Sequence, residues 1–276
     1  MLLLVDLDGV VYRGKQPVPG VAEVLRRRVA AGDRIVYVTN NSRWHRDEYR
    51  ARVEEIGAPL AGEGEESIVT AARATAVLLA DEHPRLARPA TVMVLGGAGL
   101  ARELRDVGLH VVAPTPRGLG AAPDVLVVGV DFSLSYSRLS IAAEAVRRGA
   151  RFVATNRDSI YPAADGLAAG AGAMVAAVAT AARREPDLVV GKPEPRLFET
   201  AAGLCGVPPS EAVVIGDGLA TDIRAAHAVG ARSILMLTGV TTTDDLAGAD
   251  RALHPTAVAH DAAELGQALE RLERGR

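Results

Sequence analysis

LLLVDLDGVVY, residues 2–12, runs an apolar stretch straight into Asp6 and Asp8 and then a glycine. An unbroken apolar run suits a central parallel strand covered on both faces better than the alternating pattern of a strand with one face in water. Both aspartates then emerge at the C-terminal end of that strand, the edge of an open α/β sheet where loops are free to hold ligands. The period of two aims them to one side, and the turn at Gly9 can re-aim the second. Two carboxylates this close repel unless a cation or a proton lies between them. A solvated Asp-x-Asp-Gly turn is the competing reading, and the other strand ends decide between the two.

Outward from this strand, Val21, Val24, Leu25 and Val29 recur at helical spacing before Gly32, with Arg26, Arg27 and Arg28 as a solvated face. Residues 34–38 read as a second strand, ending in Thr39, Asn40, Asn41 and Ser42 before a helix carrying Trp44 and Tyr49. Hydroxyl and amide side chains there can cap the helix, or hold a phosphate together with its free N–H groups. Residues 62–66 read as a loop, 67–80 as a helix and 83–90 as a proline-containing connector. A strand over 91–95 enters Gly96-Gly97-Ala98-Gly99, which lacks the third glycine and the later acidic residue of a dinucleotide site. Strands over 124–130 and 152–154, with a helix over 139–148, make residues 91–182 a second, smaller α/β unit.

Chemistry returns at Gly191-Lys192-Pro193, after a short apolar segment over 188–190. The chain uses arginine almost throughout, and the only other lysine is Lys15. A compact ammonium at 192 suits a place beside phosphate and carboxylate differently from arginine's planar fork. A strand over 212–215 then carries Asp217 at its tip, with Asp222 in the first turn of a helix over 222–229, where an acid also suits the helix dipole. Strands over 233–237 and 257–259 and a helix over 262–271 close the chain.

Composition narrows the partners. The 276 residues are 49% hydrophobic and 24% charged with a net charge of -3, which leaves no basic footprint for nucleic acid or for an acidic membrane surface. Cys205 is alone, so an internal disulfide is excluded and a small buried hydrophobe is the expectation. The start lacks a basic leader and enters the first strand at once, and the expected location is cytoplasmic. Residues 167–182 form the longest uncharged stretch, too short for a bilayer span. His227, His254 and His260 lack metal-ligand spacing.

Four strand ends thus carry, in order, Asp6 and Asp8, Thr39 and Asn40, Lys192, then Asp217 and Asp222. That order resembles the haloacid dehalogenase superfamily of phosphohydrolases. DGVVYRG, VTNNS, VLGGAGL, ATNRD, GAGA, VVGKPEP, GDGLATDI and TGVTT together resemble its branch of N-acetylglucosamine-phosphate phosphatase-like proteins, para-nitrophenyl phosphatases and phosphoglycolate phosphatases, over nearly the whole chain. Two positions depart from that pattern: Gly218 where a longer polar residue is common, and Ala169 where proline is common. Both bear on substrate contacts rather than on the core reaction.

The resemblance implies an α/β fold, a Rossmann-like parallel-sheet core with an inserted α/β cap. About thirty residues separate Asp8 from Thr39 and about one hundred and fifty separate Asn40 from Lys192, so the cap belongs in the second gap. The expected division is core over 1–70, cap over 71–187 and core over 188–276. The resemblance further implies Asp6 as nucleophile, Asp8 as general acid and base, and Mg²⁺ held by Asp6, the Asp8 carbonyl and Asp217, with Asp222 behind it. Thr39, Asn40, Asn41 and Lys192 are expected to hold the phosphoryl group, and Asn156 and Asp158 to face it from the cap. The expected partner is a small phosphorylated metabolite, with no nucleic acid and no membrane, and a homodimer is left open. A phosphotransferase using the same aspartyl-phosphate, and a binding protein without turnover, are the alternatives.

Overall fold

The computed structural model describes residues 1–62, 65–82, 89–163 and 166–275, so residues 63–64 of the expected loop and 83–88 of the expected connector lie outside the described residues. The fold is α/β, with two parallel sheets. The first has six strands in the order Ala257–Ala259, Arg232–Met236, Val213–Gly216, Leu2–Asp6, Arg34–Thr39, Ile68–Thr70. Leu2–Asp6 is buried along its whole length, and Leu4 pairs in parallel with Val36 on one side and Val214 on the other. Chain order reverses at this strand, which makes its C-terminal end a topological switch point. The helix Val21–Ala30 buries Val21, Val24 and Leu25, and it packs against the closing helix Ala262–Arg274, which buries Leu265, Ala268 and Leu269. The helix Arg196–Leu204, with Leu197, Phe198 and Ala201 buried, packs against the strands Leu2–Asp6 and Arg34–Thr39.

The second sheet has five parallel strands in the order Leu188–Val189, Arg151–Ala154, Val125–Val128, Thr91–Leu95, His110–Val112. Its own core holds Met93, Leu95, Leu126, Val128 and Phe152 together with Val175 and Val178 of the helix Ala171–Ala182. The two compact units are Met1–Thr39, Asp47–Val69 and Lys192–Arg276 on the one hand, and Asn40–Arg46 and Thr70–Gly191 on the other.

These units depart from the expected division at residues 40–46, at Thr70 and at residues 188–191. Leu188–Val189, expected to open the last core segment, hydrogen-bonds as an edge strand to Val153 and Ala154. Residues 40–46, expected in the core, group with the second unit because Ser42 accepts a hydrogen bond from the buried Thr155 hydroxyl at 3.0 Å and Gly99 packs against the Trp44 and His45 backbone. A Cβ at Gly99 would sit 2.3 Å from the Trp44 carbonyl carbon, so that glycine serves close packing.

Other local expectations are also corrected. Arg28 is not solvated: it is buried, its guanidinium bonded to Asp33 at 2.6 Å and to Glu273 at 2.9 Å. Residues 67–80 do not begin as helix, because the β-branched Ile68-Val69-Thr70 forms an edge strand before the helix Ala71–Glu82. Trp44 precedes the helix Arg46–Glu55 instead of lying in it. Cys205 is half-buried at the end of the helix Arg196–Leu204, and burial raises its thiol pKa, which disfavours the reactive thiolate. No helix among the described residues is long and apolar enough to cross a membrane.

Candidate active site

The turn after the first strand is built by its own backbone. Val11 and Tyr12 donate to the Leu7 carbonyl, and Gly9 donates to the Tyr12 carbonyl at 2.7 Å, with Gly9 at φ +80. That left-handed conformation is accessible to glycine and re-aims the chain just past Asp8. The Arg52 guanidinium lies 3.7 Å from the centroid of the Tyr12 ring, and its charge reaches Asp8.

Lys192, Asp6, Asp217 and Asp222 come together in the first unit. The Lys192 ammonium donates to Asp6 Oδ1 and to Asp222 Oδ1, each at 2.7 Å, and is only 3% exposed. Asp222 Oδ2 accepts from the Gly218 N–H at 3.1 Å and from the Thr221 hydroxyl at 3.2 Å. One turn of π-helix, Leu219–Ile223, carries Asp222 back toward the strand end, and Gly216 leaves room for it: a Cβ there would lie 2.3 Å from the Asp222 Cβ. Asp6, Asp217 and Asp222 each offer an oxygen within 4.8 Å of the others.

The electrostatics follow from burial. Burial would strip a proton from Lys192, but Asp222 and Asp6 outweigh it and hold the ammonium charged well beyond its ordinary range. Burial drives the Asp6 carboxyl well above the usual carboxylate range against the pull of Lys192, and Asp222 and Asp217 add to the rise. Asp217 is pushed up to about 6 by burial and by Asp222. Burial also raises Asp8, opposed by Arg52 and Lys192. Three buried carboxylates facing one ammonium leave an excess of negative charge. An oxygen-preferring dication fits that donor set and would reverse these shifts.

Asn40, Asn156 and Asp158 come together in the second unit. The Asn40 amide donates to both Asp158 carboxylate oxygens at 3.1 Å, and the buried Asn156 amide donates to the Asn40 carbonyl at 2.7 Å. Asn41 donates to the Tyr161 hydroxyl at 3.3 Å. Thr39 ends its strand in the first unit and is 4% exposed.

A second cluster went unread in the sequence. His45 lies 2.9 Å from Asp106 and 3.4 Å from Glu103, a set that could in principle ligate a metal. Arg46 already pairs with both carboxylates, and its backbone N–H donates to Glu103 at 2.8 Å, so we read an ion network that pins residues 45 and 46 to the helix Ala98–Asp106. The loop Thr238–Thr241 also escaped functional assignment. Its Val240 N–H donates to Asp217 Oδ2 at 2.7 Å, and the Thr238 hydroxyl donates to the Gly9 carbonyl at 2.6 Å. A glycine between hydroxyl and apolar residues after a strand was the available signal.

Residues 3–110 match the haloacid dehalogenase-like hydrolases and residues 189–265 the HAD-hydrolase-like proteins. The D-glycerol 3-phosphate phosphatase of Mycobacterium tuberculosis is 39% identical over 265 residues, 96% of this chain and 70% of that protein. Among solved structures, the p-nitrophenyl phosphatase from Archaeoglobus fulgidus has a TM-score of 0.85 at 33% identity, covering 97% of this chain and 98% of that one. The glycerol phosphate phosphatase from Mycobacterium tuberculosis in complex with magnesium has a TM-score of 0.85 at 39% identity, covering 96% and 77%.

Proposed function

The chain belongs to the haloacid dehalogenase-like hydrolases and is a phosphatase, and we propose that it hydrolyses small phosphate monoesters through an aspartyl-phosphate on Asp6, with Mg²⁺ as cofactor. The observation that carries this reading is Lys192 Nζ bonded at 2.7 Å to both Asp6 and Asp222, residues drawn from separate segments of the chain. The similarity to a glycerol phosphate phosphatase makes glycerol phosphate the first substrate to test, ahead of sugar phosphates, phosphoglycolate and nucleotides.

Asp6 attacks phosphorus, and the ester oxygen leaves with a proton from Asp8, which splits one hard displacement into two easier ones. Asp8 then takes a proton from the water that cleaves the acyl phosphate, releasing inorganic phosphate and restoring Asp6. A carboxyl that must spend part of the cycle protonated is helped by the burial around Asp8. Lys192 fixes the Asp6 carboxylate and contributes positive charge, since phosphoryl transfer is mostly positioning and electrostatic stabilisation. Asp6, the Asp8 carbonyl and Asp217 would hold Mg²⁺, with Asp222 supporting it; when bound, the ion neutralises the phosphate so that an anion can attack it. Thr39, Asn40 and Asn41 are proposed phosphoryl contacts. Asn156 and Asp158 are proposed to influence the choice of leaving group, acting at least in part through Asn40.

Phosphate release from a panel of monoesters, with Mg²⁺ and with excess chelator, tests the reading. Glycerol phosphate, sugar phosphates and p-nitrophenyl phosphate should be cleaved at different rates, and chelator should stop all of them. Asp6→Asn keeps shape without a nucleophile, so turnover within tenfold of the parent would remove Asp6 from that role.

A further inference from the structure

Resting on the phosphatase reading, we propose that the loop Thr238–Thr241 sets which divalent cation the carboxylates accept, by leaving Asp217 a single oxygen to offer. The Val240 N–H holds Asp217 Oδ2 at 2.7 Å. A Cβ on Gly239 would lie 1.8 Å from that oxygen, and one on Gly9 would lie 2.2 Å from it. Asp217 Oδ2 is therefore lodged between two stretches of backbone that approach it closely because neither carries a side chain. The Thr238 hydroxyl ties these walls together through the Gly9 carbonyl at 2.6 Å. Thr241 Oγ1 accepts from the Leu219 N–H at 3.2 Å, which fastens the loop to the segment between Asp217 and Asp222.

The other two carboxylates are engaged as well. Asp6 Oδ1 and Asp222 Oδ1 accept from Lys192, and Asp222 Oδ2 accepts from Gly218 and Thr221. Each of the three thus has at least one oxygen committed to the protein. Mg²⁺ demands a near-octahedral shell and takes single oxygens from carboxylates, keeping several waters, whereas Ca²⁺ takes about six to eight oxygens and often chelates a carboxylate through both. Holding Asp217 Oδ2 away penalises Ca²⁺ and leaves Mg²⁺ its one ligand.

The test is calorimetric titration of the metal-free protein with Mg²⁺ and with Ca²⁺ separately, which reads binding and not turnover. Val240→Pro deletes the N–H at a residue that is 77% exposed. Freed from the loop, Asp217 should favour Ca²⁺ over Mg²⁺ by about tenfold more than in the parent, the scale of one charge-assisted hydrogen bond. Gly239→Ala instead crowds the whole carboxylate, displacing it and weakening both ions by about tenfold or more. Circular dichroism and melting temperature identify the variants that fold. An unchanged ratio in folded Val240→Pro overturns the proposal, and so does Gly239→Ala binding both ions as the parent does; if Val240→Pro fails to fold, Gly239→Ala decides. A parent that hydrolyses esters while folded Val240→Pro keeps the ion ratio refutes the loop's role alone. A parent that binds neither ion refutes the phosphatase site on which the proposal rests.

Discussion

Lys192→Met removes the ammonium and keeps most of the side-chain volume. The side chains of Lys192, Asp6 and Asp222 are 4%, 9% and 2% exposed, so solvent screens little of what is lost. Removing one partner of a buried pair leaves the other charges uncompensated, at about 3–5 kcal/mol. Partial protonation of Asp6 and Asp217, both already pushed upward, relieves some of this and places the expectation near the lower figure. For a chain of this size that is a fall in melting temperature of roughly 6–12 °C. Saturating Mg²⁺ should narrow the gap, because the ion supplies positive charge to the same carboxylates. Turnover should fall by about 10²–10³, the scale of losing one preorganised donor. Differential scanning calorimetry in chelator and in Mg²⁺, together with phosphate release, measures both effects. A melting temperature in chelator equal to the parent's, with turnover within tenfold, would refute the view that Lys192 holds this cluster together.

Two further outcomes are expected. Tyr37 is buried with its hydroxyl donating to the Pro59 carbonyl at 2.8 Å, and burial raises its pKa far above the ordinary value of about 10. Because the folded pKa is the higher one, the neutral phenol's contribution is fully present below pH about 10 and is lost as pH rises further. Melting temperature against pH should therefore fall less steeply above pH 10 in Tyr37→Phe than in the parent, and identical slopes would contradict the assignment. Asn156→Ala and Asp158→Ala should lower kcat/KM by different factors for different leaving groups; a uniform loss, or a loss of stability alone, would leave these residues as supports for Asn40.

The convergence of side chains in the first unit was legible because its signals are local. An apolar run ending in Asp6, a glycine turn, one of only two lysines in an arginine-rich chain and the acids that follow the strand Val213–Gly216 can be read residue by residue, and Asp6, Lys192, Asp217 and Asp222 do converge. The boundaries were less legible: Leu188–Val189 and Asn40–Arg46 joined the second unit through strand pairing and the Thr155 and Gly99 contacts, which have no periodic signature.

Sequence by itself determined which residue types stand at which strand ends, since strand and turn preferences act over a few neighbours. Tertiary structure alone decided what those residues touch. Thr238 and Gly9 are 229 positions apart, yet one hydrogen bond joins them, and Gly239 is small because an aspartate from another loop presses on it. Arg28 looked like solvated surface until Asp33 and Glu273, the latter 245 positions away, closed around it. Such contacts depend on how whole strands and helices pack. No local pattern encodes them, because the partner's position is set by every element in between.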